Sequence, residues 1–129
     1  MATENERVVS EFCQTWTTLD IDKVMEFFTE DAVYYNIPLA AAKGKAEIRK
    51  TIDGFMPGAT KIEFKILTTA SAGATVFNER VDSSIVNGRP IAVPVAGVFE
   101  ISGGKIAKWR DYFDLQSWLR DARHAPAKT

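Results

Sequence analysis

The 129-residue chain contains one cysteine, Cys13, and one histidine, His124. A single cysteine excludes an internal disulfide and fits a reducing compartment. A Ser-His-Asp triad or a histidine-rich metal site would have to be built around a residue close to the chain end, so neither is expected, and no metal site is expected at all. There is no Walker loop and no G-x-G-x-x-G, hence no cradle for a nucleotide phosphate. No apolar run approaches the roughly 20 residues of a membrane-spanning helix. Charge is nearly balanced, with 16 Lys and Arg against 17 Asp and Glu for a net −1. Without a basic stripe, nucleic acid is excluded as a partner. The opening Met-Ala-Thr-Glu-Asn-Glu-Arg is polar and acidic with no hydrophobic signal region behind it, and the expected location is the cytoplasm. Chemistry, if there is any, must run on carboxylates, tyrosines, amides and arginines.

What is present is an ordinary globular composition, 46% apolar and 26% charged, long enough for one domain over residues 1–129. Thr3 and Glu6 have the spacing of a capping box. Behind them Val8, Val9, Phe12, Cys13, Trp16 and Leu19 recur at helical spacing. Residues 20–29 read as a second helix and 32–37 as a short strand. Pro38 and the alanine-rich 39–42 read as a loop, and Gly44 opens a third helix carrying Ile48, Ile52 and Phe55. Ile62, Phe64 and Ile66 alternate with charged residues, as in a half-buried strand. Ser71-Ala-Gly-Ala74 turns the chain into a strand over Thr75–Val86. Asn87-Gly88 and Gly103-Gly104 read as tight turns flanking a strand over 89–101, where Pro94 marks an edge or a bulge. A last strand covers 105–115, a helical turn or two follows over 116–123, and 124–129 form a frayed tail. This order predicts an α+β domain in which a curved sheet wraps over the helices and encloses a pocket between its concave face and them.

Strand parity then isolates a few polar side chains. Residues two apart share a face. Asp111 therefore lies in the same row as Trp109, Phe113 and Leu115, where an ionised carboxylate must be paired or hydrogen-bonded. Arg80 and Asp82 share a face of their own strand, and so do Tyr34 and Asn36. Trp16, Trp109, Trp118 and Cys13 read as core. Arg110, Tyr112 and Asp114 fall on the opposite face, as packing or a subunit interface, and Glu79 and Glu100 read as solvent-facing or interface charges. Two carboxylates flanking an arginine suit an acid and a base, since their environments can split their pKa values. Sequence parity leaves open whether the three strands face one cavity.

Four runs carry a resemblance: Tyr34-Tyr-Asn-Ile-Pro38, Glu79-Arg-Val-Asp82, Gly97-Val-Phe99 and Trp109-Arg-Asp-Tyr-Phe-Asp114. In order and spacing, over about residues 5 to 120, the chain resembles limonene-1,2-epoxide hydrolase, within the wider nuclear-transport-factor-2-like superfamily. That resemblance implies a strongly curved, mixed β-sheet packed on N-terminal helices around a deep apolar pocket, and one-step, cofactor-free addition of water to a small hydrophobic epoxide, giving a vicinal diol, by a homodimer. It assigns Asp111 as the base, Asp82 as the acid and Arg80 as the link between them, with Tyr34 and Asn36 holding the attacking water. Phe55, Val93, Val95 and Phe113 fall at positions that line the family's hydrophobic pocket. The valines are smaller than the residues common there and Ser84 is polar, which points away from limonene oxide itself. The rival expectations are an isomerase or cyclase of the same superfamily, using one carboxylate beside a carbonyl, and a non-catalytic small-molecule binding module.

Overall fold

The computed structural model describes residues 2–117 and 119. Helix α1 (Glu4–Thr15) starts at the expected capping box: the Thr3 side chain accepts from the Glu6 backbone, and Glu6 reaches back to the Thr3 backbone. Its apolar stripe buries Val9, Phe12 and Cys13, and Trp16 follows in a short 3-10 turn. Helix α2 (Ile21–Met25) is capped by Asp20, which accepts from two backbone amides of the first turn.

Beyond α2 the chain departs from expectation. The predicted helix over 20–29 ends at Met25, and strand β1 (Phe28–Asn36) begins four residues before the predicted strand. The Phe27 carbonyl accepts from the Ile106 backbone, and Phe28 pairs with Ile106. Apolar residues that could fill a helix face are thus taken by a long-range strand pairing. The alanine-rich stretch read as a loop contains strand β2 (Ala41–Lys43), set by antiparallel pairing with Val33, Tyr34 and Tyr35 rather than by its own propensity. Helix α3 (Lys45–Asp53) follows Gly44 as predicted and buries Ile48 and Ile52.

Four long strands complete the sheet: β3 (Ala59–Ala72), β4 (Thr75–Val86), β5 (Arg89–Ser102) and β6 (Lys105–Phe113). The β3–β4 turn is shorter than read, Gly73-Ala74 only, because β3 runs through Ala72. Asn87-Gly88 and Gly103-Gly104 all adopt positive φ, the geometry that twist-matched two-residue hairpins need. The sheet is six-stranded, curved and unclosed, in the order β2-β1-β6-β5-β4-β3. It is mixed because β1 lies parallel to β6 while every other pair is antiparallel. β5 is an interior strand, yet Pro94 lies one residue past Val95, where pairing with β6 ends at Phe113, so its missing N–H interrupts no β5–β6 pair. β6 stops at Phe113, short of the predicted Leu115, and residues 115–117 are helical. The predictions for Trp118 and for 120–129, including the frayed tail, lie outside the described residues.

The helices cover one face of the sheet, and the core sits between them. Trp109 of β6 is its hub: the ring stacks on Tyr34 at 4.1 Å and meets Phe12 edge-on at 4.9 Å and Trp16 at 5.9 Å. Such pairs add about 0.5–1.5 kcal/mol each beyond burial. The outer face carries the exposed Phe77 and Tyr112, and there Arg110 pairs with Glu100 at 2.6 Å. Among the described residues no helix is long and apolar enough to cross a membrane.

Candidate active site

Three neighbouring strand segments deliver polar side chains to the helix-covered face. On β4 the inward positions are Val76, Asn78, Arg80 and Asp82, on β6 Trp109 and Asp111, and on β1 Tyr34 and Asn36. Parallel pairing of β1 with β6 sets Tyr34 beside Trp109 and Asn36 beside Asp111. β4 and β6 are separated only by β5, which presents Gly97 opposite both Asn78 and Asp111. A glycine between two bulky polar rows lets them meet.

They meet through Arg80, whose side chain is fully buried. Its Nε and Nη2 donate to the two oxygens of Asp82 at 2.9 and 2.8 Å, a fork-on-fork pairing. Nη2 also donates to Oδ2 of Asp111 at 2.8 Å, and Nη1 donates to Oδ1 of Asn78 at 3.0 Å. The guanidinium lies over the rings of Phe64 and Phe99, 5.1 and 5.9 Å from their centroids, so aromatic faces replace part of its lost hydration. Asp111 Oδ1 accepts from the Trp109 indole N–H at 2.7 Å. Both carboxylates are therefore held, but unequally exposed: the Asp82 side chain retains 18% of its accessible surface and Asp111 only 5%.

Burial sets the electrostatics. It pushes the Asp111 carboxyl above the ordinary aspartate value, helped by the nearby Asp82 charge and opposed by Arg80 and by the Trp109 N–H. For Arg80 burial works against the cation, but the charges of Asp111 and Asp82 more than offset it and hold the guanidinium protonated. Burial, then the Asp111 charge, drives the Tyr34 phenol well above its usual range, against the pull of a hydrogen bond with Asn36, so Tyr34 stays a donor. Cys13 is pushed up to about 12, mainly by burial, and remains a thiol.

All five polar residues singled out from parity, Tyr34, Asn36, Arg80, Asp82 and Asp111, are brought to one face. Of the four apolar candidates, Val95 pairs with Arg80 and Phe113, and Val93 pairs with Asp82, so these three border the cluster on the same face. Phe55 is reached less directly, its ring parallel to Trp16, which in turn stacks on Phe64 beneath Arg80. Sequence reasoning passed over Asn78, whose place two residues before Arg80 was the available signal, and it passed over the indole donor of Trp109. Among the described residues no group of three or more His, Cys, Asp and Glu side chains is placed to hold a metal ion.

Comparison with known proteins adds a decisive observation. The profile of the limonene-1,2-epoxide hydrolase catalytic domain matches residues 3–124. The chain belongs to that family. Epoxide hydrolase EphG of Mycobacterium tuberculosis is 34% identical over 112 residues, which cover 87% of this chain and 74% of that protein. The structure of an LEH-like epoxide hydrolase from M. tuberculosis superposes with a TM-score of 0.82 at 30% identity, covering 95% of this chain and 91% of the other. A SnoaL-like protein from Shewanella putrefaciens superposes equally well, TM-score 0.83 over 95% and 98% of the two chains, but at 13% identity that likeness shows the fold alone. Within the limonene-1,2-epoxide hydrolase family, the activity that membership assigns to this enzyme is hydrolysis of an epoxide.

Proposed function

We propose that the enzyme opens a small or cyclic, apolar epoxide with water in one step, giving a vicinal diol. Asp111 takes a proton from water as the water oxygen bonds to an epoxide carbon. Asp82 gives a proton to the epoxide oxygen as its bond to that carbon breaks. The water donates its two hydrogens to Asp111 and to the amide oxygen of Asn36 and accepts from the Tyr34 hydroxyl, leaving one lone pair for attack. Arg80 holds acid and base in place and compensates the charge that moves between them. The observation that carries this reading is a single buried guanidinium 2.8 Å from a carboxylate oxygen of each aspartate.

The electrostatics suit these roles. A buried carboxylate with a raised pKa is a stronger proton acceptor than a free one. Two carboxylates on one guanidinium leave one excess negative charge, and a single proton on the cluster cancels it. Acid and base groups positioned this way each contribute about 10²–10⁴ in rate. Phe55, Val93, Val95 and Phe113 supply the apolar wall, the short valines leaving room beside Asp82 and Arg80. The exposed Phe77 and Tyr112 on the outer face support a homodimer, which a monomer mass by light scattering at micromolar concentration would reject. The lone, buried Cys13 supports a cytoplasmic location.

The test is conversion of a panel of small and cyclic epoxides to diols, with Asp111→Asn in parallel. Diol formation that collapses by about 10²-fold or more in the variant is expected. Turnover surviving in Asp111→Asn removes Asp111 as the base, and a wild type inert on every epoxide removes the hydrolase reading.

A further inference from the structure

Arg80 makes a hydrogen bond that neither aspartate explains. Its Nη1 donates to Asn78 Oδ1 at 3.0 Å, and Asn78 is itself buried, with 4% of its surface accessible. The amide orientation is forced by chemistry: a guanidinium has only donors, so the oxygen must face it. The other end of the amide, Nδ2, lies 3.8 Å from Sγ of Cys13 on α1 and donates to that sulfur. On the far side, a Cβ at Gly97 would fall 2.3 Å from Arg80 Nη1 and 2.9 Å from Asn78 Oδ1, so backbone rather than side chain closes this edge of the cluster. Helix α1, strand β4 and the Gly97 backbone together grip the third corner of the guanidinium.

We propose that Asn78 is a positioning residue for the reaction, fixing the rotation of the Arg80 guanidinium so that Nε and Nη2 meet Asp82 while Nη2 also reaches Asp111. Being an amide is part of the role. A neutral acceptor satisfies Nη1 without competing for the one positive charge that two carboxylates share. A carboxylate there would be a third anion on a single cation. The inference rests on the epoxide hydrolase reading and adds to it the device that keeps acid and base in register.

The charged and titratable groups facing this cluster among the described residues are Arg80 and Asp82 from β4, Asp111 from β6, Tyr34 from β1 and Cys13 from α1. β5 contributes Gly97, Val95 and Val93 at its neighbouring inward positions and no charge. A new anion at position 78 therefore acts mainly on the two aspartates, disfavouring a negative charge on either by like-charge repulsion. Activity needs one aspartate ionised and the other protonated, so both limbs of the pH profile move to higher pH.

The experiment uses the full chain and an epoxide that the wild type converts. Asn78→Asp is expected to shift both limbs of the kcat profile upward. Asn78→Ser, which cannot overfill the site and falls short of Nη1, is expected to lower kcat about 10- to 100-fold with KM within about threefold, because Asn78 acts on Arg80 and not on substrate. A purely structural role lowers stability and leaves the limbs in place. Profiles of Asn78→Asp and wild type that superimpose, or an unchanged kcat in Asn78→Ser, overturn the proposal. Nitrogen-resolved NMR of Arg80 in the wild type supplies a readout independent of turnover. Separate, slowly exchanging Nη1 protons are expected, and averaged signals overturn the proposal. A wild type inert on all epoxides rejects the hydrolase reading instead, while the NMR result still decides whether Asn78 holds Arg80.

Discussion

The indole of Trp109 donates its Nε1–H to Oδ1 of Asp111, two residues further along the same strand, at 2.7 Å. The same ring lies flat on Tyr34. One side chain thus orients the carboxylate and backs the phenol beside it. The donor favours the ionised carboxylate, against burial, which raises the Asp111 pKa. Trp109→Phe keeps a ring on Tyr34 and removes the donor, so the Asp111 pKa rises further. The base must be ionised to act. The acid limb of kcat/KM is expected to move to higher pH in the variant than in the wild type. A pH–rate profile with an unmoved limb would remove Asp111 from the base role.

Arg80→Lys keeps the charge and loses the fork. A single ammonium cannot bond both oxygens of Asp82 together with Asp111 and Asn78, so buried acceptors are left unpaired. Each buried acceptor left without its donor costs about 1–3 kcal/mol, more for a charged one. Urea denaturation is expected to show a loss of that order, accompanied by a fall in diol formation of about 10²-fold or more.

Gly97 is required for space, not for backbone freedom. A methyl group there meets Arg80 Nη1 at 2.3 Å and Phe99 Cε1 at 3.0 Å, so the guanidinium must move. Gly97→Ala is expected to lose about 1–3 kcal/mol from overpacking. Because the displaced group bridges the aspartates, kcat should fall by about tenfold or more as well. Thermal melts and initial rates on the same preparation read both effects.

Trp16 carries the one buried side-chain nitrogen without a hydrogen-bond partner among the described residues. An orphaned donor costs about 1–3 kcal/mol. Trp16→Phe removes it while keeping an aromatic ring against Phe64, so relief of the orphan offsets the smaller volume. The variant is expected to stay within about 1 kcal/mol of the wild type in chemical denaturation, well below the roughly 3–5 kcal/mol of truncating a buried Trp to Ala.

Strand parity made the polar row of each strand readable, because alternation is a local property of the chain. Asp111 stood out among Trp109, Phe113 and Leu115 for that reason, and Arg80 with Asp82 followed. The hairpin turns at Asn87-Gly88 and Gly103-Gly104 were equally local. Pairing was not local: nothing in Tyr34-Tyr-Asn36 specifies that this segment lies parallel to β6 with Asn36 beside Asp111. The early start of β1 and the existence of β2 were hidden by the same limit, since partners far along the chain decide both. Asn78 obeyed the parity rule but looked ordinary, because an amide on a strand acquires meaning only once Arg80 and Cys13 are placed against it.

Arg80 joins two carboxylates whose access to water differs, with 18% of the Asp82 side chain exposed and 5% of Asp111. In the proposed cycle the three groups begin and end the ring-opening step with the same total charge, yet they finish inverted. The proton lies on the deeper carboxyl and the shallower one is bare. Before another epoxide can be opened, that inversion has to be undone inside the site or through the Asp82 edge. Direct hand-over would mean that the hydrogen given to each epoxide oxygen came from the water consumed one turnover earlier. Exchange through the exposed edge would erase that history.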